Sequence, residues 1–106
     1  MKELTKIEEI LLVAIWRLKE DAYGVKIRKY VSDVIGKDFT YGNLYSALNQ
    51  LVIKKYVFKA LGDSPPVRRG RRKIFYSVSP LGIKALKTAR EMNEKLWLGI
   101  SDYAFD

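Results

Sequence analysis

The spacing of apolar residues changes period twice along this chain, and that pattern limits the fold more than any single residue does. It is helical as far as Val52, alternating between Tyr56 and Val78, and helical again from Pro80. Thr5 and Glu8 stand three apart, the spacing of a capping box, with Leu4 placed as a hydrophobic staple. Ile7, Leu11, Ala14 and Leu18 then recur on one helical face with Ile10 and Ile15 beside them, while Leu12 and Trp16 lie on the opposite side. A helix that is apolar on two sides is covered twice. Packing beyond a local three-helix core is therefore expected, from the C-terminal helix of this chain or of a second one.

A second helix is expected from about Tyr23 to Ile35, with Val31, Val34 and Ile35 as core candidates and Gly36 as its stop. After a turn at residues 36–39, Thr40 caps a third helix that runs to about Lys54. Its inner stripe is Leu44, Leu48, Leu51 and Val52 with Ala47 beside it; the opposite arc holds Gly42, Asn43, Ser46, Asn49 and Gln50. Tyr56–Leu61 and Lys73–Val78 read as two strands. The segment between them, rich in Pro and Arg, is too long for a two-residue turn. Ser79 and Pro80 supply the N-cap and first position of a last helix, expected to reach about Asp102, roughly 35 Å at 1.5 Å per residue. Its stripe of Ala85, Ala89, Met92, Leu96 and Ile100, widened by Leu86 and Trp97, is longer than a small core can cover, and pairing with a second chain is the simplest way to bury it. The expected class is α+β, mostly α with a small β-hairpin. The expected organisation is a winged helix-turn-helix over residues 1–79 and a long C-terminal dimerisation helix over residues 80–106.

Composition closes off several functions. With no cysteine and no histidine, the chain has no disulfides, no thiolate or imidazole metal site, and no Ser-His or Cys-His nucleophile. Glu8-Glu9 and Glu91/Glu94 suit solvated helix faces better than an acid/base pair, and the glycines match no phosphate-cradling loop. No enzyme activity, cofactor or metal is expected. The longest apolar run, Ile10 to Trp16, is too short to cross a bilayer and follows two glutamates rather than a basic flank, so a cytoplasmic protein without a membrane partner is expected.

The charge is unevenly placed. Residues 54–76 carry eight basic residues and one acid, a net +7 of the chain's +8. Most of it lies in Arg68-Arg69-Gly70-Arg71-Arg72-Lys73, where crowded cations repel one another until phosphates neutralise them. Arginine also forks onto phosphate better than lysine does. Two closely spaced helices, the second with an uncharged amide-rich face, followed by a basic hairpin, form a DNA-binding layout. The major groove admits one helix, and Asn49 or Gln50 can pair bidentately with adenine. The same helix face also serves as plain solvated surface, and the basic run as a nonspecific polyanion contact; together they favour DNA. Tyr23, Tyr41 and Tyr45 lie at or near helix starts, where a hydroxyl reaches either phosphate or the edge of the core. Trp97, like Trp16, fits a dimer core or the wall of a ligand pocket.

Three stretches resemble the PadR-like family of winged-helix transcriptional regulators: Ala22-Tyr23-Gly24-Val25-Lys26-Ile27, Tyr41-Gly42-Asn43-Leu44-Tyr45-Ser46-Ala47-Leu48, and Gly70 to Gly82 through the second strand. The resemblance covers roughly residues 4–90. It implies a homodimer joined by the last helix and often the first, a third helix in the major groove, wings on the flanking backbone, and repression of nearby genes. In some members a small aromatic or lipophilic compound releases the DNA. The short length resembles the subfamily with a single C-terminal helix. Lys55 stands where members commonly carry glycine; a left-handed lysine costs about 1 kcal/mol, so a slightly different turn is expected. Asn43 and Ser46 stand where Thr or Ser and Pro are frequent, and Asn93 and Trp97 where members diverge.

The expected function is a transcriptional regulator, a repressor, binding double-stranded DNA as a homodimer on a two-fold operator with half-sites about one helical turn apart. Ser46, Asn49, Gln50 and Asn43 are the base-reading candidates. Tyr23, Lys26, Tyr41, Tyr45 and Lys54 are phosphate candidates, and Arg68, Arg69, Arg71, Arg72 and Lys73 form the wing clamp. Leu12, Trp16, Ala89, Met92, Leu96, Trp97 and Ile100 are expected to form the dimer seam. A small hydrophobic effector is a further expected partner. Two rivals are a winged-helix module that grips an acidic protein and a basic RNA-binding domain. The second lacks the exposed aromatic platform on which single strands stack.

Overall fold

A computed structural model of the chain describes residues 2–62 and 73–105. Thr5 opens α1 (Lys6–Leu18) with the expected capping box. Its hydroxyl accepts from the Glu8 N–H, and the Glu8 carboxylate accepts from the Thr5 N–H at 2.8 Å. A single 3₁₀ turn at Lys19–Asp21 leads to α2 (Gly24–Ile35), which Gly36 ends in the left-handed region at φ 68°. Thr40 caps α3 (Tyr41–Ile53) by accepting from the Asn43 N–H at 3.1 Å. β1 (Val57–Leu61) and β2 (Ile74–Val78) then pair antiparallel from Val57 with Val78 to Leu61 with Ile74. Ser79 and Pro80 start α4 (Pro80–Trp97).

Helices α2, α3 and α4 and strand β2 all pack against α1. Leu11, Leu12, Ala14 and Ile15 are buried among Ile27 and Val31 of α2, Leu44, Leu48 and Leu51 of α3, Tyr76 of β2 and Ala85 of α4. The two-sided helix is covered twice within one chain. Leu12, expected at the dimer seam, is fully buried in this core, so no surface of it is left for a second copy. Trp16, one turn on, stays half exposed. On α2 the expected core residues Val34 and Ile35 are exposed instead, because the helix runs past the edge of the core; Ile27, two turns earlier, takes the buried place.

The turn after α3 keeps its form without a glycine. The Lys55 N–H donates to the Val52 carbonyl and the Tyr56 N–H to the Leu51 carbonyl, the paired bonds of a Schellman motif, with Lys55 left-handed at φ 66°. The expected difference in this turn is absent, and the lysine carries the strain. Ser79 fastens the hairpin's exit to the same corner, its N–H donating to the Tyr56 carbonyl and its hydroxyl to the Lys55 carbonyl at 2.7 Å. Gly82 in the first turn of α4 lies against that carbonyl of Tyr56, where a Cβ would collide with backbone. This close approach gives the glycine after Ser-Pro-Leu a packing reason.

α4 is shorter than its periodicity predicts. It ends at Trp97, Gly99 takes φ 80°, and a 3₁₀ turn at Asp102–Phe105 brings Phe105 back to within 6.0 Å of the Trp97 ring. Ile100 therefore leaves the helical stripe. Gly82 and Ala85 are buried and Ala89 is half-buried, but every residue from Arg90 to Phe105 is exposed. The projecting half stretches the molecule to 57 × 30 × 21 Å and its radius of gyration to 15.9 Å, against about 13 Å for a compact domain of this length.

Relieving the left-handed lysine should stabilise the fold. Lys55→Gly is expected to gain about 0.5–1 kcal/mol after the entropy glycine adds to the unfolded chain, raising the thermal midpoint by a few degrees in calorimetry. An unchanged or lowered midpoint would mean that the lysine side chain is needed at this corner.

Candidate nucleic-acid interface

The outer face of α3 follows from its inner one. Burial of Leu44, Leu48 and Leu51 turns Asn43, Ser46, Asn49 and Gln50 outward, and all four are exposed. No hydrogen bond ties their side chains to another described residue. They form an uncharged, amide-rich ridge along one helix, the chemistry that reads base edges in a major groove. The structure thus brings all four base-reading candidates to one surface.

The helix is aimed by contacts at both ends. At its start, Arg28 of α2 donates from Nε to the Phe39 carbonyl at 2.6 Å, and its guanidinium lies 4.7 Å from the centre of the Tyr41 ring. Tyr41 stacks on Tyr45 with ring centres 6.3 Å apart, and Ser32 donates to Asp38 at 2.6 Å. Arg28 was not legible in the sequence, because a lone exposed-type residue on α2 carries no mark of a backbone carbonyl eleven residues away. The Tyr45 hydroxyl closes over Gly24, where a Cβ would overlap it, so the Tyr45 ring sits beside the first turn of α2. That turn has no capping side chain.

At the far end the expectation for Lys54 fails. Its ammonium donates to the Glu8 carboxylate at 2.6 Å and to the Glu3 carbonyl at 3.1 Å, and only 15% of its side chain is exposed. It is committed to the fold and is not presented to a phosphate. Tyr56 adds a second tie, its hydroxyl donating to the Lys2 carbonyl. Burial by itself pushes the Glu8 carboxyl up, but the hydrogen bonds from Lys54 and Thr5, with the Lys54 charge, outweigh it and hold the group below its ordinary 4.5.

The base of the wing is also built from Tyr23. It forms an isolated antiparallel bridge with Phe75, and the Tyr76 N–H donates to the Ala22 carbonyl at 2.8 Å. The Tyr23 and Phe75 rings meet edge to face at 5.5 Å, and the Lys73 ammonium lies 4.3 Å from the Tyr23 ring centre. Burial, with repulsion from Tyr45, raises the pKa of Tyr76 beneath this surface. Lys26 is exposed on α2. Arg68, Arg69, Arg71 and Arg72 lie outside the described residues. Tyr23, Tyr41, Tyr45, Lys26 and Lys73 thus gather about the uncapped start of α2 and its two neighbours, α3 and β2.

By sequence, the chain matches no protein-family model and no curated protein. By structure it matches several regulators. A complex described as RosR-S4 is similar at a TM-score of 0.70 and 24% identity, over 95% of this chain and 80% of that one; RosR is a protein of H. salinarum. A transcriptional regulator from Clostridium thermocellum is similar at 0.70 and 25% identity, over 85% and 82%. A PadR-like transcription factor from Bacteroides fragilis is similar at 0.68 and 20% identity, over 85% of each chain. The fold is that of the PadR-like transcriptional regulators. The Clostridium thermocellum protein is described as a transcriptional regulator and the Bacteroides fragilis protein as a PadR-like transcription factor. Among the described residues, no helix is long and apolar enough to cross a membrane.

The buried pair makes a testable prediction. Lys54→Met leaves the Glu8 carboxylate buried without its counter-charge and should cost about 3–5 kcal/mol in urea unfolding, while adding Glu8→Leu recovers most of the loss. The sign of the pH dependence follows from the lowered pKa. Glu8 stabilises the parent fully above the ordinary carboxylate range and less as the pH falls through its folded value. In Lys54→Met the penalty of the buried charge disappears on protonation. The stability gap between the two proteins should therefore narrow from about pH 6 to about pH 3; a constant gap would count against the ion pair.

Proposed function

We propose that this chain is a transcriptional regulator, a repressor in the cytoplasm, that binds double-stranded DNA as a homodimer on a palindromic operator. The observation that carries the proposal is the ridge of Asn43, Ser46, Asn49 and Gln50, exposed and unbonded on the third helix of a PadR-like fold. In this reading α3 lies in the major groove. Tyr23, Lys26, Tyr41, Tyr45 and the uncapped start of α2 contact the flanking phosphates. Arg68, Arg69, Arg71, Arg72 and Lys73 extend the contact along the backbone from the segment that holds most of the net charge. Residues 1–79 form the DNA-binding part and residues 80–106 the dimerisation arm. The arm would pair through Ala89, Met92, Leu96 and Trp97, with Trp16 of α1 beside it, because Met92, Leu96 and Trp97 stay at least half exposed among the described residues. A groove of about 380 Å³ between α1 and α4, with Val13, Trp16, Ile83 and Leu86 on its apolar side and Glu9, Lys87, Arg90 and Asn93 on its polar side, would take a small aromatic or lipophilic effector.

Titration with duplexes selected for binding tests the reading. A selected palindrome should bind far more tightly than random duplex, and its affinity should fall steeply with salt. Asn49→Ala or Gln50→Ala should cost about 1–3 kcal/mol on the selected site and little on random DNA, whereas Arg71→Ala with Arg72→Ala weakens both and flattens the salt slope. Equal weak binding to every duplex would overturn it, as would preference for structured RNA or for an acidic protein. Sedimentation should give twice the 12.3 kDa chain mass, and Trp97→Glu should return the monomer.

A further inference from the structure

We infer that the segment after α4, residues 98–105, is a docking element for a second copy of this chain, seated in the groove between the end of α1 and the outer face of the hairpin. The inference rests on the homodimer proposed above and adds to it a direction, a register and a contact with the wing.

The direction comes from charge. The first half of α4 carries Lys84, Lys87 and Arg90 and no acid; residues 91–105 carry Glu91, Glu94 and Asp102 against Lys95 alone. The one ion pair that joins the halves, Arg90 with Glu94 at 3.6 Å, is well exposed and weakly held. Two copies of α4 side by side in parallel set like charges together, whereas an antiparallel pair sets the basic half of each against the acidic half of the other.

The register follows from where the charge changes sign. A two-fold axis set at that boundary, near Arg90, would place Trp97 of one copy beside Ile83 of the other. The chain that follows Trp97 then runs over whatever adjoins Ile83. That neighbour is a groove of about 590 Å³ lined by Ile15, Trp16, Ala60, Phe75, Val78 and Ile83, large enough for aromatic side chains. The segment that reaches it is the most exposed apolar stretch of the described chain, with Leu98 83%, Tyr103 85% and Phe105 69% exposed. Lys19 and Glu20 both line the groove, and Lys19 would offer Asp102 of the second copy a counter-charge. The segment's own groove lies about 22 Å back along α4, and in the single chain Phe105 rests on Trp97 instead.

The chain has no cysteine, so engineered thiols report the contact directly. Ala60 and Tyr103 are both exposed, and neither substitution disturbs the core. When Ala60→Cys and Tyr103→Cys chains are mixed and treated with a short bifunctional maleimide, a cross-linked heterodimer is expected, and neither chain alone should cross-link. Removing residues 98–106 should weaken the dimer at least tenfold in sedimentation, about 1.4 kcal/mol. Cross-linking of Tyr103→Cys to itself would show parallel tails and overturn the proposal. A stable dimer with no cross-link in the mixture, or one unaffected by the truncation, would overturn it while leaving the dimer standing. A monomer would remove the dimer and this contact together, without touching the duplex result.

Discussion

The rest of the structure depends on the burial of α1 on two sides. Leu11, Leu12, Ala14 and Ile15 form the floor on which α2, α3, β2 and the start of α4 all rest. Close packing transmits small displacements, so the placement of one element on this helix constrains the others. The recognition-type helix and the projecting arm therefore share one support.

Two polar devices set the pose of α3 on that support. At its start Arg28 reaches the Phe39 carbonyl and covers Tyr41; at its end Lys54 spans to Glu8 and the chain's first residues. The buried Lys54–Glu8 pair removes from the surface one cation that its position would otherwise offer to a phosphate. What remains exposed on α3 between these fixings is a face without charge. On the proposed reading, attraction to a polyanion would fall to the basic sequence between β1 and β2, and discrimination among its sequences to the amide ridge.

The sequence made the order of elements legible because period is a local property. The capping box at Thr5, the stop at Gly36, the caps at Thr40 and Ser79 and both strands lie within a residue or two of where spacing places them. The outward ridge of α3 was legible for the same reason. Arg28, the Tyr23–Phe75 bridge and the Lys54 clamp were not, since each joins residues far apart in the chain and uses residue types that serve equally well as surface. Leu12 was misplaced because periodicity shows that a helix has two apolar sides but not which neighbour covers each.

By itself, the sequence determined the α+β order, the hairpin, the uncharged face of the third helix and the concentration of charge in one segment. These follow from spacing and composition, which need no knowledge of distant contacts. Only the tertiary structure decided which apolar residues stay uncovered and which cations stay free. Leu12 and Trp16 have the same sequence signature, yet one is sealed in the core and the other stands 53% exposed beside α4. Lys26 and Lys54 are both lysines on the helix pair, yet among the described residues only the second meets a carboxylate, because α1 presents Glu8 at that corner. Burial and pairing are properties of two surfaces at once, and one strand of sequence specifies only its own.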